Sequence, residues 1–117
     1  MENCKTLNEI HMETGVTRRA IQGYEQAGLV LASDRNKYGH LLYDKDAQKR
    51  IARIKFYQEL GFTIKEIKEL IDAPAPQVKA SLEVRIAYLK EERSNMDSLI
   101  EKAYELIHAY GEDKVLW

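Results

Sequence analysis

The chain has 117 residues, a formal net charge of −1, 44% hydrophobic and 32% charged residues. That balance excludes a disordered polymer, and the lack of any long uninterrupted apolar run excludes a transmembrane helix. Cys4 is alone and His11, His40 and His108 are scattered, so neither an intrachain disulfide nor a metal site is expected.

In chain order, Met1 to Ile10 lacks the apolar core of a signal peptide, and a cytoplasmic location is expected. Thr6-Leu7-Asn8-Glu9 has the form of a capping box, with Leu7 and Ile10 on one face of a short helix that ends at Gly15. Thr17 is a second cap candidate. Arg18 to Ala27 reads as the next helix, with Ala20, Ile21 and Tyr24 at helical spacing and Gly28 as its stop. Two short helices joined by a tight turn have helix-turn-helix geometry.

Leu29-Val30-Leu31 and Leu41-Leu42-Tyr43 are β-compatible runs, and residues 32–40 between them hold Ser33, Asp34, Asn36 and Gly39. A hairpin is expected there, a wing with Arg35, Lys37, Tyr38 and His40 at or near its tip. Asp44 caps a helix to about Leu60, with Ala47, Ile51, Ile54 and Leu60 facing the core and either Phe56 or Tyr57 joining them. Thr63-Ile64-Lys65-Glu66 is a second capping box, opening a short helix with Ile64, Ile67, Leu70 and Ile71 inward.

Ala73-Pro74-Ala75-Pro76 interrupts the chain, and a new helix should begin near Pro76. From Gln77 to Tyr110 there is neither Gly nor Pro, and Gly111 follows as a stop. Leu82, Leu89, Met96, Ala103 and Tyr110 recur every seven residues, flanked by Ile86, Ile100 and Ile107 and by Leu99 and Leu106. The seam is broken at Arg93, inside a polar run. At about 1.5 Å per residue this helix spans roughly 50 Å, whereas the preceding residues make a body only about 30 Å across. The overhanging stripe calls for a partner helix, and a homodimer coiled coil is expected; a helix bent back on itself near Arg93 is the alternative. The Val115-Leu116-Trp117 tail is expected to pack on the coil or on the partner. The expected organisation is therefore all-α with a small β wing: a winged helix-turn-helix domain over 1–73, then a dimerisation helix with a short tail over 74–117.

Charge supports the division mildly. Residues 1–57 carry ten Lys/Arg against seven Asp/Glu, whereas residues 72–117 carry six against nine. A basic N-terminal part permits a nucleic-acid partner without demanding one.

Three stretches resemble the MerR family. Val16 to Val30 is similar to its recognition helix, with Arg19, Ile21, Tyr24, Glu25, Gly28 and Leu29 coinciding. Arg35, Gly39 to Tyr43 and Asp46 resemble its wing signature. Leu60-Gly61-Phe62-Thr63-Ile64-Lys65-Glu66-Ile67 closely resembles the motif that opens the last helix of its domain. The resemblance covers roughly residues 6–72, and the long helix stands where the family has its antiparallel dimerisation coil.

The resemblance implies a homodimeric DNA-binding transcription regulator, not an enzyme, whose partners are double-stranded promoter DNA, a second copy and, indirectly, RNA polymerase. It implies DNA-contacting roles for Arg18, Arg19, Gln22, Tyr24, Arg35, Lys37, Tyr38, His40 and Tyr43. Tyr24 stands where the family uses a phenol either to reach phosphate or to fill the joint between helix and wing. Four positions depart from the family pattern. Gln22 replaces an Arg, Gly23 an aromatic residue, and His40-Leu41 a Tyr-Arg pair. Because phosphate contacts dominate affinity for DNA, these losses leave a second reading open: a MerR-like protein-interaction module with weakened or lost DNA binding. The first reading is preferred because Arg18, Arg19, Tyr24, Arg35 and the wing length survive. Metal-sensing relatives place cysteines before and after the long helix. Residues 72–80 and 111–117 contain none here, so no metal or other cofactor is expected. No paired-carboxylate, nucleophile–base or phosphate-cradling pattern points to catalysis.

Overall fold

The computed structural model describes residues 3–111. The chain divides between Ala73 and Pro74 into two compact units. The first contains, in order, β1 (Lys5–Thr6), α1 (Leu7–Thr14), α2 (Arg18–Gln26), β2 (Asp34–Arg35), β3 (Leu41–Tyr43), α3 (Lys45–Glu59) and α4 (Ile64–Leu70). The second is one helix, α5 (Ala75–Gly111). The fold is mostly helical with a small sheet, as the sequence led us to expect.

Each helix of the first unit begins where a side chain can satisfy its open N–H groups. Thr6 and Thr63 form reciprocal capping boxes with Glu9 and Glu66. Thr17 accepts from the Ala20 N–H at 3.1 Å and Asp44 from the Ala47 N–H at 2.8 Å. The turn between α1 and α2 is made by Gly15, whose φ of 77° is open to glycine at little cost and whose N–H returns to the His11 carbonyl.

The sheet differs from expectation in two ways. Leu29 and Val30 are not a wing strand: both are buried in irregular chain, because the Leu29 N–H is spent on the Tyr24 carbonyl as the chain turns out of α2 at Gly28. The outer hairpin strand is instead β2, paired with β3 through Asp34↔Leu42 and Arg35↔Leu41. The second difference is β1, which pairs antiparallel with the other edge of β3 through Lys5↔Tyr43 and makes β3 the central strand. Two residues of β1 carry too little alternation to be seen as a strand.

The core of the first unit is centred on Ile21, Ile51, Ile54 and Ile67, each at 1% exposure or less, with Tyr24 and Tyr43. Burial of each isoleucine is worth about 1.5–3 kcal/mol. Of the two aromatic candidates on α3, Tyr57 is buried edge-on against Phe62, and Phe56 is exposed. Arg50 ties the pieces together. Its two terminal nitrogens donate to the two Asp72 oxygens at 2.7 and 2.8 Å, and its Nε donates to the Leu29 carbonyl, linking α3 to the end of α4 and to the segment leaving α2.

α5 begins at Ala75, one residue before the expected start near Pro76, with the Pro74 carbonyl accepting from Gln77 and Val78. The Val115–Trp117 tail lies outside the described residues. No helix among the described residues is long and apolar enough to cross a membrane.

Three carboxyls sit below their ordinary range: Asp44 through the Ala47 N–H, Asp72 through Arg50, and Glu9 through the Thr6 N–H. A folded value below the unfolded one means that each contribution is complete above the ordinary value and is lost as pH falls through the folded value. Asp44→Asn retains an N-cap acceptor but does not titrate. Its urea midpoint should therefore fall less steeply than that of the unaltered chain on acidification below about pH 4. Parallel acid limbs for the two proteins would contradict this.

Candidate nucleic-acid interface

The exposed face of α2 follows from its buried one. Ile21 is fully buried and Tyr24 is 2% exposed, and these two side chains fix the roll of the helix on the core. Arg18, Arg19 and Gln22 are consequently exposed. The Thr17 cap places the two arginines in the first turn of α2. Gly23 is also exposed, and a Cβ there would meet nothing within 4 Å, so crowding does not demand glycine at this position.

The wing is held in shape by its own loop. The Asn36 side-chain oxygen accepts from the N–H groups of Tyr38 and His40, and the Asn36 N–H donates to the His40 carbonyl at 2.9 Å. Gly39 takes φ 82°, which the turn requires. Arg35 donates to the Gly39 carbonyl at 2.6 Å, so its guanidinium braces the hairpin while remaining exposed. At the tip, the Lys37 ammonium lies 5.1 Å from the centre of the Tyr38 ring, and the Tyr38 and His40 rings are 6.4 Å apart. Tyr38 is 72% exposed.

Helix and wing meet in one open cleft of about 540 Å³, lined by Arg18 and Gln22 of α2, His40 and Leu41 of the wing, and Thr6, Leu7 and Asn8. None of the seven is acidic, and Arg18 is the one fixed charge among them. Three of the four positions where the sequence departs from the resembled pattern therefore share a single concavity. The sequence reading missed Thr6, Leu7 and Asn8, because only the fold brings the start of α1 beside the wing.

Two expected contact residues are corrected. Tyr24 donates from its hydroxyl to Gln58 Oε1 at 2.6 Å, and burial raises its pKa. Its ring fills the core and is not presented to a partner. Tyr43 is fully buried, and its hydroxyl has no hydrogen-bond partner among the described residues. The resemblance implied a DNA contact for Tyr43 and, for Tyr24, either a phosphate contact or the joint between helix and wing; helical and strand spacing turn both rings inward. One Glu25 carboxylate oxygen is likewise buried without a partner among the described residues, and desolvation raises the pKa of that group.

Among the described residues no group of three or more His, Cys, Asp or Glu side chains could hold a metal ion. On α5, the stripe expected to dimerise is mostly exposed: Met96, Leu99, Ile100, Ile107 and Tyr110 each exceed half exposure, Ile86, Leu89 and Ala103 are exposed, and Leu82 and Leu106 are half-buried.

Residues 5–74 match the MerR HTH family of regulatory proteins, and residues 48–107 match the MerR DNA-binding family. The chain is 39% identical over 66 residues to the nodulation protein NolA of Bradyrhizobium sp. (strain NC92), covering 56% of this chain and 28% of that protein. It is 40% identical over 68 residues to the transcriptional activator TipA of Streptomyces coelicolor, covering 58% and 27%. It thus spans under a third of the length of these two relatives. Among solved structures, MtaN, the N-terminus of the Bacillus subtilis multidrug transporter activator, superposes with a TM-score of 0.68 at 27% identity over 88% of this chain and 97% of that one. A MerR-family regulator from Bacillus cereus gives 0.76 at 22% identity, covering 97% and 87%, and shares the fold. HiNmlR, a MerR family regulator lacking the sensor domain and bound to promoter DNA, gives 0.72 at 14% identity, covering 93% and 91%, and likewise shares the fold.

The two buried phenols generate a paired prediction. Tyr24→Phe deletes a made hydrogen bond and should lower stability by about 0.5–1.5 kcal/mol, whereas Tyr43→Phe removes an unsatisfied buried hydroxyl and should be neutral or stabilising. Urea denaturation of both variants is the check. Equal losses would show that the Tyr43 hydroxyl has a partner.

Proposed function

The chain belongs to the MerR HTH family, and from that premise we propose that it acts as a homodimeric transcription regulator on double-stranded promoter DNA. The observation that carries the reading is the exposed, capped first turn of α2, with Arg18 and Arg19 beside a cleft that continues onto the wing. A recognition helix reads the major groove with its N-terminal side chains, and basic groups at that end meet phosphates or a guanine edge. Gln22 lies one turn further on and has the donor and acceptor needed to read adenine. Lys37, Tyr38 and His40 are exposed on the wing for backbone contacts, and the bracing of the hairpin by Arg35 lowers the cost of ordering them.

The promoter as the site of action, and an effect on RNA polymerase exerted through the DNA, are extended from the family. Homodimerisation is proposed from α5, whose exposed stripe of large apolar side chains runs from Ile86 to Tyr110, about seven turns, longer than a solitary helix in water keeps uncovered. In this reading Arg18, Arg19 and Gln22 each act twice, once per half-site.

Fluorescence anisotropy of the full chain on the duplex upstream of its own coding region, across a salt series, tests the DNA reading. Binding should weaken with salt, and Arg19→Ala should reduce the slope of log K against log salt by about 0.9 per phosphate contact, roughly two per dimer. A flat response at low salt would favour the protein-interaction module instead. Gln22→Arg combined with Leu41→Arg restores two cationic groups inside the cleft. It should raise affinity and steepen the slope; a double variant that does neither would show that this cleft does not face phosphate.

A further inference from the structure

The cleft between α2 and the wing is charged unevenly. Arg18 supplies a fixed cation from α2, and no lining residue is acidic. Across from it, Leu41 has no polar side-chain atom, so His40 is the one lining residue of the wing that can carry a charge. Histidine changes charge between about pH 5 and 8, where arginine stays cationic.

His40 is exposed, yet its backbone is fixed. Its N–H donates to the Asn36 side-chain oxygen at 3.0 Å, and its carbonyl accepts from the Asn36 N–H at 2.9 Å. The Tyr38 ring lies 6.4 Å from the imidazole at a tilt of 43°. The charged groups of the surrounding elements are already engaged. On the wing, Arg35 donates to the Gly39 carbonyl, Lys37 lies over the Tyr38 ring, and the Asp34 carboxylate accepts from the Arg35 N–H at 2.8 Å. On β1 and α1, Lys5 pairs with Glu13, and Glu9 closes the capping box with Thr6. Among the described residues no carboxylate forms an ion pair with His40. A charged imidazole at this position therefore has to find its counter-ion outside the chain.

We propose that His40 grips the DNA backbone as an imidazolium, so that each subunit takes up a proton on binding and affinity for DNA rises as the pH falls from about 8 to about 5.5. This rests on the DNA reading above. A phosphodiester carries the fixed negative charge that the lining lacks. A charged ring N–H makes a shorter and stronger hydrogen bond to it than a neutral one does, and by linkage the anion draws the proton on. The neutral ring still donates one hydrogen bond, so binding persists at the higher pH but is weaker. Each protonated His40 also releases a further counter-ion from the DNA, which makes the salt dependence itself a function of pH. A Tyr-Arg pair at positions 40 and 41 would hold the same charge throughout this range.

The test is fluorescence anisotropy of the full chain on the duplex upstream of its own coding region, carrying a pH-insensitive dye, over a salt series at about pH 8 and about pH 5.5. Wild type should bind more tightly at the lower pH by about tenfold per imidazole, hence about a hundredfold per dimer. Its slope of log K against log salt should be steeper there by about 0.9 per His40, roughly two per dimer. His40→Gln, which keeps a neutral donor, should bind at both pH values as wild type does at the higher one. His40→Arg should bind at both as wild type does at the lower one. Titration calorimetry in two buffers of different ionisation enthalpy should show net proton uptake for wild type and none for either variant. The fold withstands the lower pH, because Asp44, Asp72 and Glu9 sit below the ordinary carboxylate range and keep their charge.

The other two histidines are His11, whose Nδ1 donates to the Val16 carbonyl at 2.9 Å, and His108 on α5, while Glu25 on α2 is raised by burial. A pH dependence that persists in H40Q belongs to one of these and overturns the proposal. Wild-type binding that responds to salt but not to pH also overturns it, and leaves the DNA reading standing. No binding at low salt at either pH overturns both.

Discussion

The roll of α2 on the core is the constraint on which the interface depends. Ile21 and Tyr24, three residues apart, bury one side of a nine-residue helix, and the opposite side is then committed to solvent or to a partner. The anchoring extends beyond the helix: the Tyr24 hydroxyl is held by Gln58 of α3, and the chain leaving α2 is gripped by Arg50, which also holds Asp72. Positioning at this scale matters because phosphate and base-edge contacts are sensitive to displacements of an ångström or less.

The wing obeys a different economy. It is three strands of two or three residues, too short to be stable through ladder hydrogen bonds alone. Its geometry comes from Asn36, Gly39 and Arg35, which satisfy the loop internally, and from the Tyr43 ring at its base, buried at the cost of an unpaired hydroxyl. A braced hairpin presents Lys37, Tyr38 and His40 already ordered, which offsets part of the entropy lost on binding. The departures at Gln22, His40 and Leu41 share one cleft with Arg18 and are not spread over the whole surface.

Local signals in the sequence were read well where one side chain decides the outcome. Both capping boxes, the Thr17 and Asp44 caps and the glycine turn at Gly15 are each a matter of a hydroxyl, a carboxylate or a missing Cβ acting within four residues. The mostly helical class and the place of the long helix followed from the same signals with periodicity. Pairing over a distance was not legible. Leu29-Val30-Leu31 has strand composition, yet the Leu29 N–H is used to close α2, and the hairpin partner is the polar Asp34–Arg35. β1 exists only because Tyr43 happens to pass beside Lys5. The candidate interface was legible to the same extent: Arg18, Arg19 and Gln22 follow from the spacing of Ile21 and Tyr24, whereas the inward turn of Tyr24 and Tyr43 and the contribution of Thr6, Leu7 and Asn8 come from tertiary packing.

In the proposed function the first unit presents groups to DNA and the second doubles them, both at once. Native mass spectrometry of the full chain with a duplex from its own upstream region measures this directly. Two chains per duplex, with no species of one chain per duplex at equivalent loading, is the predicted result. A complex of one chain per duplex, or free dimer that leaves the duplex unbound at low ionic strength, would contradict it.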